Sequence, residues 1–164
     1  VSLPQGLCAR RVYDCLSVQP EVQPSAFYAR LNLSGETRLD AQGIKILCTV
    51  TDFFEKTEKI PFQFAIKYDM IKNHTVVVRS RRPGDTILRG THRASLKKLF
   101  IDCKIPKYLR GTLCVFESEG KILAVEGIGT ASDCRPLAGE PALIIQIEKE
   151  EMHHATRHRA RSDH

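Results

Sequence analysis

The sequence predicts an α+β fold, mostly β, with sandwich-like sheets and two short helices. Three observations carry this. Segments rich in Val, Ile, Phe and Thr alternate apolar with polar residues, the period-two signature of half-buried strands. The period changes between Ser95 and Cys103, where Leu96, Leu99, Phe100 and Cys103 fall at helical spacing. Turn signals at Ser34-Gly35, Pro83-Gly84 and Ser118-Glu119-Gly120 separate the apolar runs.

In chain order, residues 3–16 read as a helix, with Leu3, Leu7, Arg11 and Cys15 on one side and Pro4 in the first turn. Residues 17–25 are polar and carry two prolines, a linker composition. Residues 1–24 are thus expected to be a helix and linker leading from a preceding domain. Strands are predicted at 27–33, 43–50, 62–66 and 75–79, with a charged loop over 51–60. Ser95 is a candidate N-cap for the helix at 95–103, which leaves Lys97, Lys98 and Lys104 off the buried stripe. Pro106 to Gly111 suits a second short helix. Residues 112–117 and 121–126 form a hairpin pattern, and 142–147 is the last strand. The main domain is expected to run over 25–147. Residues 148–164, charged and rich in His and Arg, read as a flexible tail.

Composition excludes several classes. The chain has 164 residues, 42% hydrophobic and 27% charged, ordinary for a globular domain with a real core. No apolar run approaches the roughly 20 residues of a membrane-spanning helix. The opening Val1-Ser2-Leu3-Pro4 has no basic start and apolar block, so no signal peptide is expected, and the missing Met suggests a piece of a longer protein. The six cysteines, at 8, 15, 48, 103, 114 and 134, lack zinc-knuckle spacing, and most stand among apolar residues. They read as small buried hydrophobes in a reducing, cytoplasmic setting. His153, His154, His158 and His164 lie in the tail, where carboxylate or cysteine partners do not support metal binding, so no metal site is expected.

Charge is concentrated. From Arg79 to Arg110 ten basic residues face two acids, Asp85 and Asp102, an excess of eight in a chain whose net charge is +6. Such concentration is the footprint of a polyanion partner. Its centre is Arg79-Ser80-Arg81-Arg82-Pro83-Gly84-Asp85. Pro83 and Gly84 suit the two central positions of a turn, and Asp85 can bond back into that turn or order an arginine. Arginine forks grip phosphates in pairs of hydrogen bonds. Lys97, Lys98, Lys104, Lys107 and Arg110 extend the surface. The plain alternative is a set of surface ion pairs with Asp52, Glu55, Glu58 or the acids at 148–151. Aromatics near this stretch are few, so recognition of a double-helical backbone is expected rather than base stacking.

These segments, with Leu96-Lys97-Lys98-Leu99-Phe100-Ile101-Asp102, Lys104-Ile105-Pro106, Arg110 and Gly127-Ile128-Gly129, closely resemble the C-terminal domain of bacterial tRNA(Ile)-lysidine synthases. The strong part covers about 76–147. The resemblance implies a fold similar to a small domain of the phenylalanyl-tRNA synthetase β subunit. It implies a parent enzyme that uses ATP, with Mg, to activate C2 of the wobble cytidine in an isoleucine tRNA with a CAU anticodon, where free lysine then attacks. That chemistry resides in an N-terminal domain with a Ser-Gly-Gly-x-Asp-Ser loop. Here Ser34-Gly35-Glu36 is no such loop, so this chain alone is expected to hold no cofactor and to catalyse nothing. The implied role is to hold the body and acceptor stem of tRNA(Ile), with Arg79, Arg81, Arg82, Lys97, Lys98, Lys104, Lys107 and Arg110 as contacts. Pro83, Gly84 and Asp85 shape the turn. The implied partners are that tRNA and the enzyme's own catalytic domain. A second reading stays open, a structural module that packs on its enzyme or pairs two subunits, its arginines meeting acids.

Overall fold

The computed structural model describes residues 2–3, 7–12, 15–20, 25–55 and 62–150. Two sheets face each other across one core. The first is five-stranded, in the order β13 (Gly129–Thr130), β12 (Lys121–Val125), β11 (Val115–Ser118), β8 (Val77–Arg79), β4 (Tyr28–Arg30). The second is four-stranded, in the order β5 (Glu36–Leu39), β6 (Ile44–Thr51), β14 (Ala142–Lys149), β7 (Gln63–Lys67). All pairings within them are antiparallel. The mostly β, two-sheet architecture with two short helices is the one the alternation predicts.

Alternation decides which way each strand faces. In β14, Leu143, Ile145 and Ile147 are buried while Gln146 and Glu148 are exposed. Across β6 the register sets Ile145 opposite Cys48 and Ile147 opposite Ile46, so buried residues share one face. The sheets meet through Phe64 of β7 and Phe116 of β11, whose ring centroids lie 5.8 Å apart. Each large side chain buried this way contributes roughly 1.5–3 kcal/mol.

The β11–β12 hairpin turns through Glu119 and Gly120, both at positive φ (48° and 78°), the backbone that matches strand twist in two-residue hairpins. Helix α1 (Leu96–Asp102) buries Leu96 and Phe100 in the core and leaves Lys97 and Lys98 outside. Helix α2 (Lys107–Arg110) lies between Pro106 and Gly111. A two-stranded ribbon, β9 (Thr86–Arg89) with β10 (His92–Ser95), leads into α1.

Several expectations change. The described residues of the stretch 3–16 are not helical: β1 (Ser2–Leu3), β2 (Leu7–Val12) and β3 (Cys15–Pro20) form an antiparallel sheet, and 4–6 and 13–14 lie outside the described residues. Strand pairing satisfies their backbone groups between segments, which a helical reading of Leu3, Leu7, Arg11 and Cys15 does not anticipate. Strand β3 also occupies much of the expected linker; residues 21–24 lie outside the described residues. The last strand does not stop at Ile147 but runs to Lys149, because Glu148 and Lys149 still pair with Lys45 and Ile44. Residues 148 and 149 of the expected tail thus belong to a strand, and 151–164, with its four histidines, lies outside the described residues. Ser95 stands at the N-cap of α1 with extended backbone but makes no side-chain cap bond. Cys48, Cys114 and Cys134 are buried, but Cys103 is exposed, since α1 ends at Asp102 and the chain turns away there.

Among the described residues, no helix is long and apolar enough to cross a membrane.

Candidate nucleic-acid interface

Strand β8 delivers Arg79, and the chain then turns sharply. The Arg82 carbonyl accepts from Asp85 N (3.2 Å), with Pro83 and Gly84 between them and Gly84 at φ 84°. Positive φ at the second central position is what glycine supplies. Asp85 closes the turn from inside, its Oδ2 accepting from Arg82 N at 2.7 Å. The Asp85 carbonyl accepts from Leu96 N (3.0 Å), which docks the turn on the start of α1. Arg81, Arg82 and the lysines of α1 are thereby carried by one connected unit.

Arg79 points elsewhere. Its side chain is 5% exposed. Nη1 and Nη2 donate to Asp85 Oδ2 and Oδ1 at 2.8 and 2.9 Å, and Nε donates to Glu117. Register explains the second contact: Arg79 faces Val115 of β11, and Glu117 lies two residues along the same face. All three donor positions of the guanidinium are directed at protein oxygen, one more bond going to the Ser80 carbonyl. The expectation that Arg79 offers its fork to a phosphate is corrected on this ground. Burial alone would raise the Asp85 pKa, but bonds from Arg79 and from Arg82 N outweigh it and hold the carboxyl below its ordinary value.

The remaining cations stand differently. The Arg81 guanidinium lies 5.8 Å from the centroid of the buried Phe100 ring, and that of Arg82 lies 5.9 Å from Tyr28. Arg82, Lys97, Lys98, Lys104 and Lys107 are exposed, and Arg81 and Arg110 are half-buried. Arg110 Nε donates to the Ile105 carbonyl at 2.9 Å, tying α2 to the end of α1. Among the described residues none of these seven forms a salt bridge. Among the described residues the basic side chains of this stretch form ion pairs only at Arg79, and its partners, Asp85 and Glu117, are largely buried rather than the surface acids that the plain alternative named.

Lys104 has an unusual backbone. Its N–H bonds the Ile101 carbonyl and the N–H of Ile105 bonds that of Phe100, both at 2.9 Å, a closing pattern that puts Lys104 in the left-handed region at φ 55°. Glycine is the usual occupant of that position.

Sequence reasoning missed Tyr28. It lies on edge strand β4, directly opposite Arg79 in register, and is 63% exposed. It is far from the basic stretch in sequence, and only the β4–β8 pairing brings it there. To the few aromatics expected near the arginines the fold adds this one exposed ring.

The Ser34-Gly35-Glu36 turn closes on itself, with Asn32 Oδ1 accepting from Ser34 N and the Gly35 carbonyl from Cys48 N. Among the described residues no group of three His, Cys, Asp or Glu side chains is placed to hold a metal.

Comparison with known proteins finds similar sequences and a similar fold. Residues 76–147 match the family model described as the TilS substrate C-terminal domain. The chain is 29% identical over 92 residues to a tRNA(Ile)-lysidine synthase of Streptococcus mutans, covering 46% of this chain and 22% of that protein. It is 32% identical over 133 residues to a bifunctional protein TilS/HprT of Listeria monocytogenes, covering 78% of this chain and 20% of that one. The chain therefore spans about a fifth of the length of these relatives. A crystal structure of a TilS C-terminal domain superposes with a TM-score of 0.65 at 22% identity, covering 76% of this chain and 98% of that one. Residues 76–147 thus match the TilS substrate C-terminal domain family, and the two-sheet fold is similar to that of the solved TilS C-terminal domain.

Proposed function

We propose that this region binds tRNA and positions it for a catalytic domain of the same enzyme in the cytoplasm. The observation that carries the reading is the surface of Arg82, Lys97, Lys98, Lys104 and Lys107, exposed and without carboxylate partners among the described residues. Phosphate contacts of this kind fix register and orientation without reading bases. The names of the relatives point to tRNA(Ile) as the RNA. On this reading ATP and Mg act in the catalytic domain, where lysine is joined to the wobble cytidine, and this region supplies grip and distance. Arg81 and Arg110, half-buried, flank the surface and set its shape.

The test is binding of the chain to tRNA(Ile) and to an unrelated tRNA across a salt series. The logarithm of affinity should fall with the logarithm of salt by roughly 0.7–0.9 per phosphate contact. The triple change Arg82→Ala, Lys97→Ala, Lys98→Ala should flatten that slope by about two to three contacts' worth. Absence of binding at low salt, or an unchanged slope in the triple variant, overturns the reading. In that case self-association measured by light scattering would favour the structural module.

A further inference from the structure

We propose that Tyr28 and Arg82 form a stacking site for an unpaired nucleotide at the margin of the phosphate-gripping surface. The inference rests on the RNA-binding reading and adds a ligand class to it, a single-stranded base rather than a duplex backbone.

An exposed tyrosine is by itself ordinary. Three features set this one apart. The guanidinium of Arg82 lies 5.9 Å from the centre of its ring, while most of the residue, 63%, stays open. The Arg82 backbone is fixed by Asp85, whose carboxylate accepts from Arg82 N and is itself neutralised by Arg79. Tyr28 is held opposite Arg79 by the β4–β8 register, on the outermost strand of its sheet, so among the described residues no further strand covers it. The result is a positioned π surface and a planar cation that, among the described residues, have no unneutralised carboxylate bonded to either, on the turn that docks on the start of α1.

A continuous duplex presents phosphates and sugar edges, and an open aromatic ring gains little from them. An unpaired base presents its own π face, which tyrosine and arginine both stack on. The adjacent phosphate of the same nucleotide can then meet Arg82. The geometry therefore suits a place where a duplex ends or a loop splays a base outward.

The experiment uses the whole chain and three RNAs: a blunt hairpin, the same hairpin with a short single-stranded extension, and the same extension made of abasic sugars. The last two carry equal phosphate charge and differ only in bases. The wild-type chain should bind the base-bearing extension about fivefold to a hundredfold more tightly than the abasic one for each stacked base. Tyr28→Ala should erase that difference and keep the affinity for the blunt hairpin, and Tyr28→Phe should restore it. The exposed position of Tyr28 lets these variants fold, which circular dichroism checks. Equal binding of the two extensions by the wild type overturns the stacking site while leaving the phosphate surface standing. A difference that survives Tyr28→Ala overturns it too. Failure to bind even the blunt hairpin removes the RNA-binding reading and this proposal with it.

Discussion

Arg79 and Asp85 meet in a bidentate pair, two nitrogens on two oxygens at 2.8 and 2.9 Å, with side chains only 5% and 11% exposed. The pair spans the turn that carries Arg81 and Arg82. Removing Arg79 takes the cation from two largely buried carboxylates, Asp85 and Glu117, and breaking a buried pair in this way costs about 3–5 kcal/mol. Arg79→Ala should lower unfolding free energy by that amount in urea titrations. Arg82→Ala, an exposed change, should stay within about 0.5 kcal/mol of wild type. If the two variants are equally stable, the structural role given to Arg79 is wrong.

The same pair predicts a pH dependence. The folded-state pKa of Asp85 is depressed, because bonds from Arg79 and Arg82 N outweigh its burial. Stability from this group is therefore fully present above the unfolded carboxyl value of about 3.9, and is lost as pH falls through the lower folded value. Denaturation followed between pH 6 and pH 2 should show a decline that starts near pH 4. Asp85→Asn should make that decline shallower from a lower starting stability.

Lys104 offers a separation of folding from binding. An L-residue in the left-handed region costs roughly 1 kcal/mol relative to glycine. Lys104→Gly should raise the melting temperature, and Lys104→Ala should leave it close to wild type. Both should lower RNA affinity equally, since both remove the same charge. An affinity loss that tracks stability instead of charge would contradict the assignment of Lys104 to the RNA surface.

Thiol mapping tests the packing. Burial raises the pKa of Cys48 and of Cys134 to about 11 each, and Cys114 is raised further by burial and the neighbouring Glu126. Reactivity needs an accessible thiolate. Among Cys48, Cys103, Cys114 and Cys134, a short alkylation pulse in native buffer should label Cys103 alone, and peptide mass spectrometry should find the others labelled only after unfolding.

Phe100 joins the core to the site, since its ring is buried and Arg81 lies over it. Phe100→Leu should cost less than Phe100→Ala, which should cost about 3–5 kcal/mol. Both should loosen Arg81, detectable as faster relaxation of its guanidinium signals by nuclear magnetic resonance.

How far the sequence speaks for the structure follows from the range of the interactions. β6, α1, α2 and the β11–β12 hairpin are legible because each is governed by neighbours a few residues away: alternation, the 96/99/100 spacing, Pro106 and Gly111, Glu119-Gly120. The stretch 7–20 misleads because Leu7, Arg11 and Cys15 fit helical spacing while the backbone finds its partners across a hairpin. The basic stretch is visible as charge, yet charge alone does not say which arginine turns inward. That is decided by Glu117, which the β8–β11 pairing brings from across the chain. Tyr28 is hidden for the same reason.

Strand β14 sits between β6 and β7 in its sheet, opposite residues 44–51 on one side and 63–67 on the other. On a ribosome, those flanking segments emerge many residues ahead of the strand that joins them. Until Ala142–Lys149 leaves the exit tunnel, Ile46, Cys48, Phe64 and Ile66 have no central neighbour to bury against. The sheet thus cannot be completed in the nascent domain until Ala142–Lys149 is made, and until then β7 has no strand partner among the described residues.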